Sequence, residues 1–198
     1  CIRDRSHVEW LNKFQSLAKT PLLISMDAEW GPAQRLSDVF AHPWNMTLGA
    51  IQDEYLVREI SKRMAEQNKA LGVHINFSPS VDVNNNSKNP IIGNRSFGED
   101  PINVYRKAKA YIQGHKDVGV YTSIKHFPGH GDTDKDSHKT LPVISGNMKR
   151  LNNVELFPFK RLIEDGLAES VMLAHLSVPA IDKKYPSSLS YKTVGKLL

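Results

Sequence analysis

Short apolar runs alternate along the chain with longer segments whose apolar residues recur at helical spacing. The apolar runs are typical of strands buried on both faces, and they lie at residues 22–26, 73–77, 120–124 and 170–174. The longer segments predict helices at residues 6–18, 52–71, 101–118 and 153–165, with Ser190 at the start of another. Strands and helices therefore follow one another in regular alternation.

This alternation predicts an α/β fold in which the strands form a parallel sheet with helical crossovers. Two architectures satisfy the pattern, namely an open doubly wound sheet and a (β/α)8 barrel. The pattern alone does not choose between them.

Polar residues follow the predicted strands at the points where the strands end. Asp27 follows the first strand, Asp82 lies shortly after the second, Lys125 and His126 follow the third, and His175 follows the fourth. The loops after these residues are long, whereas the loops that return from helix to strand are short. Because the carboxyl ends of parallel strands meet on one side of a sheet, we expect an active-site face there.

The composition is that of an ordinary globular protein, with 40% hydrophobic and 24% charged residues and a formal net charge of +5. No uncharged apolar run reaches the ~18–20 residues of a membrane helix, so we expect no membrane span. Lys and Arg are scattered without interleaved aromatics, so we expect no nucleic-acid partner. The single cysteine, Cys1, excludes an intramolecular disulfide. The compartment is left open.

The densest group of chemically active side chains is the segment KHFPGHGDTDKDSH at residues 125–138. A zinc-protease helix is excluded because Pro128 and Gly129 interrupt the helix that it would need. An EF-hand loop would lack its glycine and its final glutamate, and a dinucleotide-binding loop would lack its third glycine.

An acid–base loop is the remaining catalytic interpretation of this segment. Asp136 and His138 are two residues apart, so the carboxylate can orient the imidazole for proton transfer near neutral pH. Gly129 and Gly131 would let such a loop bend and move. From composition alone, a solvated polar turn is an equally good interpretation.

The same segment resembles the signature of bacterial glycoside hydrolase family 3 N-acetyl-β-glucosaminidases. Residues 27–36 resemble the D-x-E-G-G-x-x-Q-R-L/F motif of that family, with Trp30 in place of the first glycine and Pro32 after the second. Three more segments follow in the family's order: residues 77–84 resemble F-A-P-V-x-D-V-N, residues 92–98 resemble I-G-x-R-S-F-G, and residues 172–175 resemble M-x-A-H.

The resemblance implies a (β/α)8 barrel of the TIM type and a retaining glycosidase that removes terminal β-linked N-acetylglucosamine. The substrate it implies is a small carbohydrate, in the turnover of peptidoglycan fragments. It also implies that Asp27, Arg35, Arg95, Lys125 and His126 bind the sugar, which suits the strong hydrogen bonds that charged groups make. No metal and no other cofactor is implied.

For catalysis, the resemblance implies that His138 is the general acid and base and that Asp136 is its partner. Most glycosidases use a carboxylic acid in that role. No segment of the chain resembles the family's strand end that carries the nucleophilic aspartate, so we assign no nucleophile.

Since a closed barrel needs about eight strands and ~250 residues, we expect residues 1–198 to be a partial barrel domain. About half of the barrel would be represented, with the first strand and the later strands supplied by other segments. Alternative functions are a family-3 β-glucosidase, a glycoside phosphorylase, a non-catalytic sugar-binding fragment without the nucleophile, and a metal-binding module built on the His/Asp loop.

Overall fold

The computed structural model describes residues 2–134 and 140–198. Its strands are β1 (Ile2–Arg3), β2 (Ser25–Met26), β3 (Leu36–Ser37), β4 (Ile75–Asn76), β5 (Tyr121–Thr122), β6 (Ile124–Phe127) and β7 (Val171–Leu173). Its α-helices are α1 (Asp4–Leu17), α2 (Asn45–Ala50), α3 (Glu54–Ala70), α4 (Pro101–Val118), α5 (Met148–Asn153) and α6 (Phe157–Glu164). Short 3-10 turns lie at Pro32–Gln34, Gly93–Arg95 and Ser187–Leu189, and a π-helical turn lies at Lys192–Leu197.

The pairings between these strands are all parallel. β4 lies between β2 and β5, while β6 pairs with β7 and β1 pairs with β3. A bridge between Ser80 and Lys125 joins β6 to the segment that follows β4. Parallel strands with intervening helices confirm the α/β class predicted from the alternation of the sequence.

The strand predicted at residues 120–124 is divided into β5 and β6, which belong to different pairings. The N–H of Ser123, between them, lies 3.1 Å from the carbonyl oxygens of both Asn76 and Ser78. β5 stays beside β4, whereas β6 runs beside β7. Lys125 and His126 therefore lie inside β6, and their predicted position after the end of a strand was wrong by a few residues.

The apolar run at residues 22–26 is less buried than predicted. Only Ser25 and Met26 form strand β2, and the side chains of Leu22 and Leu23 are 39% and 65% exposed. β2 is one of the two outer strands of its three-stranded sheet and is paired with β4. Burial depends here on the place of the strand in the sheet, which composition does not report.

Helix boundaries largely follow the capping residues in the sequence. Asp53 and Asp100 accept N–H groups in the first turns of α3 and α4, and Gly119 ends α4 with a φ of 79°. The helix predicted at residues 153–165 is α6, which begins four residues later than predicted, and the separate short helix α5 ends at Asn153. Pro158 lies in the first turn of α6, where its fixed φ and missing N–H are tolerated. Among the described helices, none is both long enough and apolar enough to cross a membrane.

The core lies between the strands and the surrounding helices. Gly114 of α4 packs closely on α3, and a Cβ atom there would overlap the carbonyl oxygen of Arg58. Phe127 of β6 packs edge-on against Phe159 of α6, with ring centroids 5.2 Å apart. These contacts fix the strands from outside, so the segments that follow the strands start from fixed positions.

Candidate active site

A cavity of about 750 Å³ lies where the strands end. The five residues expected to bind a sugar all line it, although they come from distant parts of the chain: Asp27, Arg35, Arg95, Lys125 and His126. The structure therefore brings together a set of charged side chains that only the motif resemblance had grouped.

Asp27 lies between two cations at the mouth of the cavity. Its Oδ1 accepts a hydrogen bond from Lys125 Nζ at 2.9 Å, and its Oδ2 accepts one from Arg35 Nη2 at 2.7 Å. Partial burial would raise the pKa of Asp27, but Lys125 and then Arg35 lower it below its ordinary value. The carboxylate is thus ionised at neutral pH and its remaining lone pairs can accept hydrogen bonds from sugar hydroxyls.

Glu29 is the buried anion at the centre of the site, and only 1% of its side chain is exposed. Its Oε1 lies 2.7 Å from Arg95 Nη2 and 2.9 Å from Lys125 Nζ, and its Oε2 lies 3.0 Å from Arg95 Nε. Burial would raise the pKa of Glu29, but the hydrogen bond from Arg95 and the charge of Lys125 outweigh burial and lower it. Glu29 therefore holds both cations at fixed positions in the cavity wall.

Asp82 fixes the ring of His126. Asp82 Oδ2 lies 2.7 Å from His126 Nδ1, and Arg95 Nη2 lies 3.2 Å from His126 Nε2. A guanidinium is a donor only, so Nε2 accepts and Nδ1 carries the proton that is donated to Asp82. The two contacts hold the imidazole in one orientation, with Nδ1 towards Asp82 and Nε2 towards Arg95.

The Asp82 carboxylate is fully buried and accepts hydrogen bonds from two segments of the chain. Besides the His126 ring, it accepts the Ser80 hydroxyl at 2.8 Å and the backbone N–H of His130 at 2.6 Å. Burial alone would raise its pKa, but the attraction to His126 and these hydrogen bonds lower it strongly. Asp82 therefore joins the ring of His126 to the start of the segment that leads towards residue 138.

The loop after β2 departs from the family motif at Trp30 and Pro32 but still delivers Arg35 to the cavity. Gly31 adopts a φ of 83° and packs against the ring of His42. The Trp30 ring stacks on Trp44 with centroids 3.9 Å apart, and both rings line the cavity. The cavity wall beside Arg35 is therefore aromatic, a surface that suits the apolar face of a sugar.

A buried polar network supports the backbone at Ala28 and Glu29 from below. The Asn76 side chain exchanges two 3.0 Å hydrogen bonds with the backbone of Ala28, and the hydroxyl of Tyr111 donates to the Glu29 carbonyl at 3.1 Å. Asn76 Nδ2 also lies 3.0 Å from His115 Nε2. Burial lowers the pKa of His115 to about 4, so its Nε2 is a neutral acceptor.

The predicted acid–base pair, Asp136 and His138, lies outside the described residues. The segment before it is closely packed: a Cβ on Gly131 would overlap the carbonyl oxygen of Val83, and Gly129 lies against Glu155. The expectation that these glycines give the loop freedom was therefore wrong for the described part. They are needed because the backbone passes too close to its neighbours for a side chain.

Three ionisable residues of the site had no predicted role, namely Glu29, Asp82 and His130. Glu29 and Asp82 lie within motif segments, so a signal was present, but a local pattern does not name a partner far away in the chain. His130 is the second histidine of the KHFPGHG segment. Over the described ranges, no three His, Cys, Asp or Glu side chains are grouped as metal ligands would be.

Comparison with known proteins identifies the family to which the chain belongs. The model of the Glycosyl hydrolase family 3 N terminal domain matches residues 5–198. "Beta-hexosaminidase" of Nitrosomonas eutropha is 37% identical over 190 residues, which cover 92% of this chain and 54% of the relative. "Beta-hexosaminidase A" of Pseudoalteromonas piscicida is 34% identical over 200 residues, which cover 93% of this chain and 33% of the relative. The chain thus spans between a third and about half of the length of these curated relatives.

Solved structures agree with the sequence comparison. A glycoside hydrolase family 3 β-N-acetylglucosaminidase from a Paenibacillus species superposes with a TM-score of 0.93 at 39% identity, over 98% of this chain and 38% of that one. The β-glucoside phosphorylase BglX superposes with a TM-score of 0.94 at 30% identity, over all of this chain and 38% of that one. The chain therefore belongs to glycoside hydrolase family 3 and has the α/β fold of that family's N-terminal domain.

Proposed function

We propose that this chain forms the sugar-binding part of a glycosidase that removes terminal β-linked N-acetylglucosamine. The observation that carries the proposal is the convergence of Asp27, Arg95, Lys125 and His126 on one cavity, with their charges paired and oriented. The curated relatives, named β-hexosaminidases, support the substrate class.

Each of these groups has a distinct task in binding. The Asp27 carboxylate accepts hydrogen bonds from sugar hydroxyls, and Lys125, held by Asp27 and Glu29, donates one. Arg35 is half exposed on the other side of Asp27, so it closes the cavity towards solvent. Because the binding groups are held by one another, little order has to be gained when the sugar binds.

For the chemical step, we propose a retaining mechanism in which His138 is the general acid and base. Protonated His138 gives its proton to the bridging oxygen as the C1–O bond breaks and a carboxylate nucleophile bonds to C1. The neutral imidazole then takes a proton from water, whose oxygen attacks C1 and releases the carboxylate. Asp136 orients the ring and stabilises its charged form. We assign the nucleophile to no residue of this chain.

Turnover of peptidoglycan fragments is the setting that we propose for this activity. The family resemblance and the hexosaminidase names of the relatives support it. Release of N-acetylglucosamine from purified peptidoglycan fragments, compared with release from chitin oligosaccharides, tests the setting separately from the reaction. A strong preference for chitin oligosaccharides would contradict it.

The decisive experiment compares the His138→Ala variant with the wild type of the full-length protein on aryl β-N-acetylglucosaminides. We expect a loss of roughly 100-fold or more in kcat, as for removal of a general acid and base. With a good leaving group, azide should restore turnover and give the N-acetylglucosaminyl azide. Lys139→Ala, in the same segment, is the matched control, and equal rates for both variants would refute the acid–base role.

Phosphorolysis is the second candidate, because the β-glucoside phosphorylase BglX shares the fold over the whole chain. A neutral histidine in place of a carboxylic acid does not repel an incoming phosphate anion. Sugar 1-phosphate formed in phosphate buffer would favour this reaction, and turnover of β-glucosides would favour a β-glucosidase. Calorimetric binding of N-acetylglucosamine without turnover by the full-length protein would favour a non-catalytic sugar-binding protein.

A further inference from the structure

His130 lines the sugar cavity and is held rigidly there, although no role has been given to it above. Its ring atom Nδ1 lies 2.6 Å from Thr133 Oγ1, and its carbonyl oxygen accepts a hydrogen bond from Asn89 Nδ2 at 2.8 Å. Its N–H donates to Asp82 at 2.6 Å. Backbone and ring are thus fixed at three points, and only 2% of the residue is exposed.

The other ring nitrogen, Nε2, is buried and has no hydrogen-bond partner in the part of the chain that the structure describes. Buried polar atoms in folded proteins nearly always have a partner, because leaving one unpaired is unfavourable. Since the ring forms part of the cavity wall, the missing partner is best supplied by a molecule in the cavity.

The chemistry of His130 restricts what that partner is. Burial lowers the pKa of His130 more than the nearby Asp82 charge raises it, so the imidazole is neutral at neutral pH. A neutral imidazole nitrogen is either a donor or an acceptor, according to the tautomer. The Thr133 hydroxyl is compatible with both tautomers, and a ligand hydroxyl, which donates and accepts, pairs with Nε2 in either case.

We propose that His130 is a further substrate-binding residue and that its Nε2 forms a hydrogen bond with a hydroxyl group of the bound sugar. The inference rests on the proposed sugar-binding function and adds a contact to it. The rings of His126 and His130 lie 6.2 Å apart, centroid to centroid, a separation that one sugar ring spans. A sugar bound beside the His126 ring therefore lies within reach of His130.

Two substitutions of similar size separate the two ring nitrogens. In His130→Asn, the amide stands in for Nδ1 and keeps the contact with Thr133, but the atom facing the cavity is lost. In His130→Gln, the longer amide reaches the place of Nε2. We expect kcat/KM of the full-length protein on an aryl β-N-acetylglucosaminide to fall by roughly 10- to 100-fold in the Asn variant, and the Gln variant to recover most of it.

A set of substrate analogues, each lacking one hydroxyl group, tests whether His130 contacts the substrate or only supports the loop. For one analogue, the Asn variant and the wild type should show nearly equal kcat/KM, because the partner of Nε2 is already absent from the substrate. An equal loss for every analogue, with no recovery in the Gln variant, would mean that His130 only supports the loop and would overturn the proposal. Unchanged kcat/KM in the Asn variant would overturn it as well.

The activity and the sugar binding of the wild type show whether a negative result concerns His130 alone or the proposed function as a whole. Wild-type hydrolysis with an unaffected Asn variant removes only the role of His130. If the wild type neither hydrolyses the aryl substrate nor binds N-acetylglucosamine by calorimetry, the proposed function fails and the inference fails with it. If it binds without turnover, the Kd for N-acetylglucosamine replaces kcat/KM in the comparison, with the same expected order of variants.

Discussion

Asp82 Oδ2 and His126 Nδ1 lie 2.7 Å apart, although 44 residues separate them in the chain. The same carboxylate accepts the backbone N–H of His130. One buried acid thus fixes both the ring of His126 and the starting point of the segment that leads to His138. Its removal should affect binding, acid stability and the position of that segment together.

In Asp82→Asn, we expect kcat/KM to fall roughly 100-fold and the free energy of unfolding to fall by roughly 1–3 kcal/mol at neutral pH. The reason is that an amide can accept only part of the hydrogen bonds that the carboxylate accepts. Denaturant unfolding and steady-state kinetics measure the two effects. Asp53→Asn is the control, since Asn caps a helix about as well as Asp.

The pH dependence of that stability difference follows from the lowered pKa of Asp82. The carboxylate stabilises the fold fully above its unfolded value of 3.8, and this contribution is lost as pH falls through the lower folded value. The difference between wild type and Asp82→Asn should therefore be largest near neutral pH and shrink below about pH 4. A difference that grows on acidification would contradict the ionised state of Asp82.

Glu29→Gln removes the anion between Arg95 and Lys125. We expect it to lower stability by roughly 3–5 kcal/mol, because buried cations lose a counter-ion, and to raise KM for an aryl N-acetylglucosaminide. Glu66→Gln, which breaks an exposed pair with Arg63, should change stability by about 1 kcal/mol or less. Similar small losses in both variants would show that Asp27 alone suffices to hold Lys125.

Glu155→Gln should stabilise the protein at neutral pH. Burial raises the pKa of Glu155 despite the hydrogen bond from Arg150, and its Oε2 has no partner among the described residues. A carboxyl with a raised folded pKa is best tolerated below its unfolded value of 4.5, and it costs stability as pH rises through the folded value.

For this variant we expect Tm to rise by about 2–4 °C at pH 7, the equivalent of about 1 kcal/mol in a protein of this size. The gain should disappear below about pH 4.5, where the wild-type carboxyl is protonated too. Differential scanning calorimetry at both pH values measures it. A lower Tm at pH 7 would show that the Arg150 pairing outweighs burial.

Gly131→Ala should damage both stability and activity, because the new Cβ would overlap the Val83 carbonyl oxygen. We expect a loss of roughly 1–3 kcal/mol, as for other overpacked sites, and a fall in kcat as the segment before His138 is displaced. Gly146→Ala is the control, since its Cβ would meet only the flexible side chain of Arg150. Equal behaviour of the two variants would mean that this segment adjusts freely.

Much of the fold could be predicted from the sequence, because local signals carry it. The alternation of strands and helices gave the α/β class, and Asp100 and Gly119 gave the bounds of α4. The division at Ser123 could not be predicted, since it arises because β5 pairs with β4 whereas β6 pairs with β7. Likewise, Leu22 lies before β2 and outside the sheet, and its exposure could not be predicted from the apolar run.

The sequence predicts which residues belong to the site, but it does not predict which of them contact one another. Motif resemblance named Lys125 and Arg95, yet nothing local shows that Glu29 is their shared counter-ion, 66 residues from Arg95. That His130 Nε2 has no partner among the described residues is a property of packing, which no sequence pattern predicts. The roles of Asp136 and His138, and the partial-barrel domain over residues 1–198, stay predictions.

The hydroxyl of Tyr111 has a consequence for redesign of this enzyme family. Tyr111 belongs to α4, on the outside of the sheet, but it holds the Glu29 carbonyl at the cavity floor. A transplant of the strand-end loops alone would remove the hydrogen bond from the Tyr111 hydroxyl that supports the backbone of Glu29. Swapping substrate preference between relatives therefore requires moving α4 with the loops, as one exchangeable block.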